Sequence, residues 1–227
     1  MFSNRIMAQI QMLDGAGIIA DIGSDHGLFC IAALLQGRAK FAIATDISDF
    51  SLNKARRNIK KYSIEDKIEL RVGDGLNVIK KDEVNIVSIS GIGGENIVKI
   101  LEEGKGKLPD MLLLTPSSGE IELRRCLSQL EYTAKDETVV FENNRFYQIM
   151  LMQRGAADIL TENEAEFGKI NLQKMPADLK RLILKKLKDA NKMLNTAASG
   201  EDERAKTAKE TATIRIEKYK RLLDEKF

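Results

Sequence analysis

From residue 17 to about residue 152 the chain repeats one pattern: a short apolar run, a polar or glycine end, then an amphipathic stretch. The runs GIIADI (17–22), FAIATDI (41–47), KIELRV (67–72), NIVSIS (85–90) and MLLLTP (111–116) are β-branched or leucine-rich. They close on Gly, Asp or Pro and read as strands. LFCIAALLQG (28–37), SLNKARRNIKKYS (51–63), GENIVKILEEG (94–104) and GEIELRRCLSQLEY (119–132) lie between them, and several end at a glycine able to stop a helix. Strands alternating with helices at this spacing predict a mostly parallel sheet covered on both faces, a doubly wound Rossmann-like α/β fold. DETVVFE (136–142) and FYQIMLMQ (146–153) are separated only by NNR, which predicts a hairpin and an antiparallel strand at the sheet's edge.

After Gly155 the period changes. Leu172, Met175, Leu179, Ile183, Leu187, Ala190, Leu194 and Ala197 follow at steps of three or four. Ser199 and Gly200 interrupt the stripe, Ser199 with Asp202 resembles a capping box, and Ala205, Ala208, Ala212, Ile216, Tyr219 and Leu223 resume it. Two domains are expected: an α/β body over 1–155 and a coiled-coil-like helical hairpin over 156–227. Each stripe is short, so the hairpin is expected to pack on itself and the protein to be a monomer.

With 227 residues and 43% hydrophobic content the chain can bury a full core. No apolar run is long enough to span a bilayer, and MFSNRIMAQIQMLDG lacks the apolar core of a signal peptide, so a cytoplasmic protein with no membrane partner is expected. Cys30 and Cys126 have no CxxC spacing and read as reduced core residues, so no metal site is expected. The net charge of +2 neither demands nor excludes nucleic acid. Arg124, Arg125, Lys54, Arg56, Arg57, Lys60 and Lys61, with Lys180, Arg181, Lys185, Lys186 and Lys188 of the tail, are candidates for phosphate contact.

In open α/β sheets ligands sit beyond the carboxyl ends of the strands. Those ends carry Asp21, Gly23, Ser24 and Asp25, then Asp46, then Asp74 and Gly75, then Gly91, Gly93 and Gly94. Glycines there let the backbone approach a ligand. Asp46, one strand after Asp21, is placed to accept hydrogen bonds from both ribose hydroxyls, and Asp74 to bind an adenine amino group. GSDHG is not GxGxxG, and its aspartates repel a pyrophosphate. They favour S-adenosylmethionine, which carries a positive amino group and sulfonium and no phosphate.

ADIGSDHG, VGDGL, SGIGGENIVKILEEGK, LRRCL and ENNRFYQIM together resemble the bacterial tRNA (adenine-N1)-methyltransferase family TrmK, which modifies adenine 22 in the D-arm. EFGKINL (166–172) and the helical tail also match that family. The resemblance implies that Asp21, Gly23, Ser24, Asp25, Asp46, Asp74, Gly75 and Gly91 contact or border S-adenosylmethionine. Gly91 to Gly94 would line the place where the methyl group meets the base. Two departures fall on the substrate side. Gly27, Leu28, Phe29 and Cys30 replace the family's Ala-Tyr-Leu-Pro, leaving Phe29 as the candidate stacking ring. Thr115, Pro116 and Ser117 stand where Gln-Pro-Asn is usual. Asp25 is the candidate catalytic carboxylate, because the methylated base gains positive charge, and His26 is expected to be structural. A methyltransferase for another nucleobase or small molecule, and a non-catalytic tRNA-binding protein with the same fold, are the alternatives.

Overall fold

Four of the five apolar runs form inner strands, and the fifth, at 67–72, lies at the sheet's edge with Val72 exposed. In the computed structural model, which describes residues 2–227 other than 158, 199 and 201 and leaves aside the side chain of Ala16, the chain forms two compact units, Met1–Ile170 and Asn171–Phe227. The first unit holds strands β1 (Ala16–Ile22), β2 (Ala39–Asp46), β3 (Ile68–Val72), β4 (Ile86–Ser90), β5 (Met111–Thr115), β6 (Tyr132–Glu142) and β7 (Arg145–Arg154). They make one sheet in the order β3-β2-β1-β4-β5-β7-β6. Side chains alternate across it. Ile19, Leu113 and Ile149 pack with α1 (Asn4–Gln11), α2 (Leu28–Leu35) and α3 (Asp49–Tyr62) on one face. Ala20, Val87, Leu112 and Met150 pack with α4 (Gly94–Glu103) and α5 (Glu120–Gln129) on the other. Burial on both faces is what a parallel sheet demands.

The hairpin differs from expectation in one respect. β7 is antiparallel to both β5 and β6 and lies between them, so the antiparallel strand is one place in from the edge. Burial explains the order: residues 148–152 of β7 are all buried, whereas β6 keeps only Tyr132, Glu137 and Val139 buried and suits the outer position. α1 precedes the repeat read from the sequence, capped by Ser3, whose side chain accepts from the Ile6 amide.

The expected domain border at 155 precedes a short helix, α6 (Glu162–Phe167), which belongs to the first compact unit. Its backbone is tied there through Arg124. That guanidinium donates to the Ala165 carbonyl at 3.0 Å and to Gln148 Oε1 at 2.9 Å, and lies 2.8 Å from Glu137 Oε1. Arg124 is therefore no phosphate contact: its side chain is 3% exposed and committed to a buried ion pair.

The expected tail stripe is also broken. Leu172 lies in α7 (Lys169–Lys174), and α8 (Ala177–Ala197) begins after Pro176. Proline disfavours helical geometry in the residue before it, and Met175 has φ +52°. α8 and α9 (Glu203–Lys226) form an antiparallel hairpin, with the Lys180 ammonium 5.0 Å from the Phe227 ring. Asp202 caps α9 by accepting from the Ala205 amide at 2.7 Å, while Ser199 lies outside the described residues.

Replacing Arg124 with Ala leaves the Glu137 carboxylate buried without its cation. Urea unfolding should show a loss of about 3–5 kcal/mol. A loss below about 1 kcal/mol would mean the pair does not anchor α6.

Candidate active site

Parallel pairing brings the strand ends to one level. Ile22 stands opposite both Thr45 and Ile89, and Ser90 opposite Thr115, so the loops after β1, β2, β4 and β5 emerge together. Beyond them opens a crevice of about 430 Å³. The end of β1 gives it Ile22 and Gly23, the end of β2 Asp46 and Ile47, and the loop after β3 Gly73, Asp74 and Gly75. Ile92, Asn96, Lys99, Ile100 and Glu103 close it from the β4–α4 side.

Each acid in this region is held differently. Asp46 Oδ1 accepts from the Ser48 amide at 2.9 Å and Oδ2 from the Asp25 amide at 3.2 Å, which fixes the carboxylate while leaving lone pairs on both oxygens. Asp74 is exposed. Asp25 is half-exposed, 3.2 Å from both Lys54 Nζ and His26 Nε2, on a backbone with φ +43°. Asp21 is buried and accepts from Ser24 Oγ at 2.7 Å. Burial pushes its pKa up to about 6, against the lowering hydrogen bond of Ser24.

The two glycine-rich loops are joined by backbone hydrogen bonds. The Gly91 amide donates to the Thr115 carbonyl at 3.0 Å, the Ser117 amide to the Ile92 carbonyl at 2.9 Å, and the Gly94 amide to the Ser118 carbonyl at 2.7 Å. A side chain at Gly94 would collide with the Ser118 and Gly119 carbonyls. Gly23 and Gly91, with φ +75° and +80°, differ from it: a Cβ at either would meet no protein atom within 4 Å, so their backbones face open space.

The structure thus brings Gly23, Asp46, Asp74 and Gly75 into one crevice, with Asp25 joined to Asp46 through its amide. Asp21 and Ser24 are packed beneath the loop. On the substrate side the structure places four of the expected residues in the interior. Phe29 belongs to the core cluster of α1, α2 and α3 and offers no ring to a base; Leu28 is the exposed residue of that turn. Thr115 is fully buried, with Oγ1 accepting from Gln9 Nε2 at 2.8 Å. Gly94 is buried against the next loop, and Pro116 is buried too, while Gly93 is partly open and Ser117 exposed. Sequence reading missed Ile47, Asn96 and Ile100. Ile47 carried a usable signal, an apolar residue directly after a strand-end acid, and it is 72% exposed.

Adenosine attached to a cationic tail fits this crevice: Ile22, Ile47, Ile92 and Ile100 give apolar walls, Asp46 and Asp74 give acceptors, and Gly23 gives close backbone approach. Sheet order and strand-end site together define a class I, Rossmann-like methyltransferase fold. The family profile for TrmK, tRNA (adenine(22)-N(1))-methyltransferase, matches residues 19–221, and the chain belongs to that family. The tRNA (adenine(22)-N(1))-methyltransferase of Bacillus subtilis (strain 168) is 35% identical over 158 residues, which are 69% of this chain and 66% of that protein, just under two thirds of its length. The crystal structure of the B. subtilis m1A22 tRNA methyltransferase TrmK superposes with a TM-score of 0.86 at 28% identity, covering 98% of both chains. Streptococcus pneumoniae Sp1610, solved in complex with S-adenosyl-L-methionine, superposes with a TM-score of 0.87 at 25% identity, covering 98% of this chain and 100% of that one.

Asp21 has a testable thermodynamic signature. Because its folded pKa lies above the value of 3.8 for a free carboxyl, its contribution to stability is complete below that value and is lost as pH rises through about 6. Asp21→Asn removes this dependence. The wild-type protein should therefore lose about 2 kcal/mol more than the variant between about pH 4.5 and 7.5 in urea unfolding. Parallel pH curves would show that Asp21 is not desolvated.

Proposed function

We propose that this chain transfers a methyl group from S-adenosylmethionine to N1 of adenine 22 in the D-arm of tRNA, in the cytoplasm. The observation that carries the reading is an open strand-end crevice lined by Asp46 and Asp74 in a chain matched by the TrmK profile over residues 19–221. S-adenosylmethionine supplies an electrophilic methyl group, and N1 of neutral adenine already carries the lone pair that accepts it. The protein therefore has no proton to remove before transfer, and its work is alignment and desolvation.

The residues divide that work. Asp46, fixed by the Ser48 and Asp25 amides, holds the ribose hydroxyls. Asp74 receives the adenine amino group of the cofactor, and Ile47 and Ile92 cover the ring faces. Gly23 and Gly91 keep the backbone close on either side of the cationic tail, above Asp21. Asp25 supplies the negative field for the charge that appears on the methylated base; Lys54 and His26 orient its carboxylate. Gly93 and Ser117 border the base, whose Watson–Crick edge must leave its tertiary pairing to be reached.

Purified protein incubated with labelled S-adenosylmethionine and unmodified tRNA should yield 1-methyladenosine after digestion to nucleosides. Label in another nucleoside would redirect the assignment to a different base. tRNA binding without transfer, by folded protein that binds the cofactor, would leave a non-catalytic binder. Asp25→Asn should lower kcat by about a hundredfold while S-adenosylhomocysteine affinity stays within about twofold. Asp46→Asn should instead weaken S-adenosylhomocysteine by about tenfold, read by calorimetry.

A further inference from the structure

Arg5 stands out among the groups the methyl-transfer reading leaves unused. It lies in the first turn of α1, and that helix is fixed at both ends. The Asn4 amide donates to Glu142 Oε1 at 2.7 Å, and Gln9 Nε2, one turn on from Arg5, donates to Ser90 Oγ at 2.7 Å and Thr115 Oγ1 at 2.8 Å. Those two hydroxyls mark the carboxyl ends of β4 and β5, so α1 is held at the rim of the site.

The guanidinium carbon of Arg5 lies 4.8 Å from the centroid of the Tyr147 ring. With α1 tied to Ser90 and Thr115, the pair lies on the sheet face that α1 covers, toward the carboxyl ends of the strands. Arg5 Nε is buried with no hydrogen-bond partner among the described residues. An unmet buried donor on a permanent cation is costly and calls for an acceptor. Asp21, at the end of β1, feels the Arg5 charge, yet Ser24 holds its carboxylate.

We propose that Arg5, held flat by Tyr147, is an oxyanion-binding residue at the rim of the active site, which binds a carboxylate or phosphate of the reactants. The proposal rests on the methyltransferase reading. Two sources offer that chemistry: the carboxylate at the methionine end of the cofactor, and a phosphate flanking the target adenine. A planar guanidinium suits either, because it presents parallel N–H donors to two oxygens at once.

Arg5→Gln distinguishes the sources. Calorimetry with S-adenosylhomocysteine and with 5′-methylthioadenosine, which lacks the amino-acid portion, is set beside the KM for tRNA. Loss of at least about tenfold in S-adenosylhomocysteine affinity, with 5′-methylthioadenosine unchanged, assigns the carboxylate. A rise of at least about tenfold in the KM for tRNA, with both nucleosides unchanged, assigns the phosphate. Tyr147→Leu, which frees the guanidinium from its ring, should give the same pattern more weakly. A variant that melts as the wild type does and changes none of the three measurements overturns the proposal. So does an equal loss for both nucleosides in a variant that melts as the wild type does; where Arg5→Gln melts early, Arg5→Lys, keeping charge without the planar fork, takes its place in the same three measurements. Failure of the wild-type protein to bind S-adenosylhomocysteine would count against the methyltransferase reading itself.

Discussion

The sheet is covered on both faces, and this one constraint organises the rest of the first unit. Strands such as Ile86–Ser90 and Met111–Thr115 have little room for charged side chains along their length, so polar chemistry is expelled to their ends. Parallel pairing then sets four of those ends at one level, and the acids and glycines of separate loops become neighbours. The backbone bonds from Gly91, Ser117 and Gly94 convert two of these loops into a single stiff rim. A site that works by alignment needs such a rim, since a misplacement of about 1 Å costs rate directly.

Much of this was legible in the sequence, for a physical reason. Burial on both faces leaves unbroken apolar runs, and such runs ending in GSD, TD, GDG and GIGG show where strands stop and polar work begins. The same logic located Asp46, Asp74, Gly23 and Gly75, which do share a crevice. It failed wherever a side chain's direction mattered. Phe29 and Thr115 sit at functional addresses in the chain yet point into packed interior, Phe29 against α1 and α3 and Thr115 toward Gln9. No one-dimensional spacing distinguishes an inward from an outward side chain at the end of a strand or in the first turn of a helix. Arg124 shows the converse: its exposed-looking helix hides a partner, Glu137, that arrives only when β6 pairs with β7.

The acids after the first three strands illustrate how one residue type serves several purposes. Desolvation holds Asp21 near the point of protonation, backbone amides fix Asp46, the Lys54 ammonium compensates Asp25, and solvent surrounds Asp74. A cluster of four bare carboxylates would repel itself; four differently compensated ones coexist beside a cationic ligand.

The placement of β7 has a consequence for how the molecule is made. During synthesis β1 to β5 emerge first, and β5 then presents a free edge of unpaired backbone groups, because its neighbour β7 comes after β6 in the chain. That edge is sealed only when residue 154 has left the ribosome and the hairpin has docked. Gln9 and Arg5, among the earliest residues translated, must wait for β5 and for Tyr147 before their contacts exist. The rim beside β5 is thus complete only with the hairpin in place, although the crevice itself is lined by residues 22–103 alone.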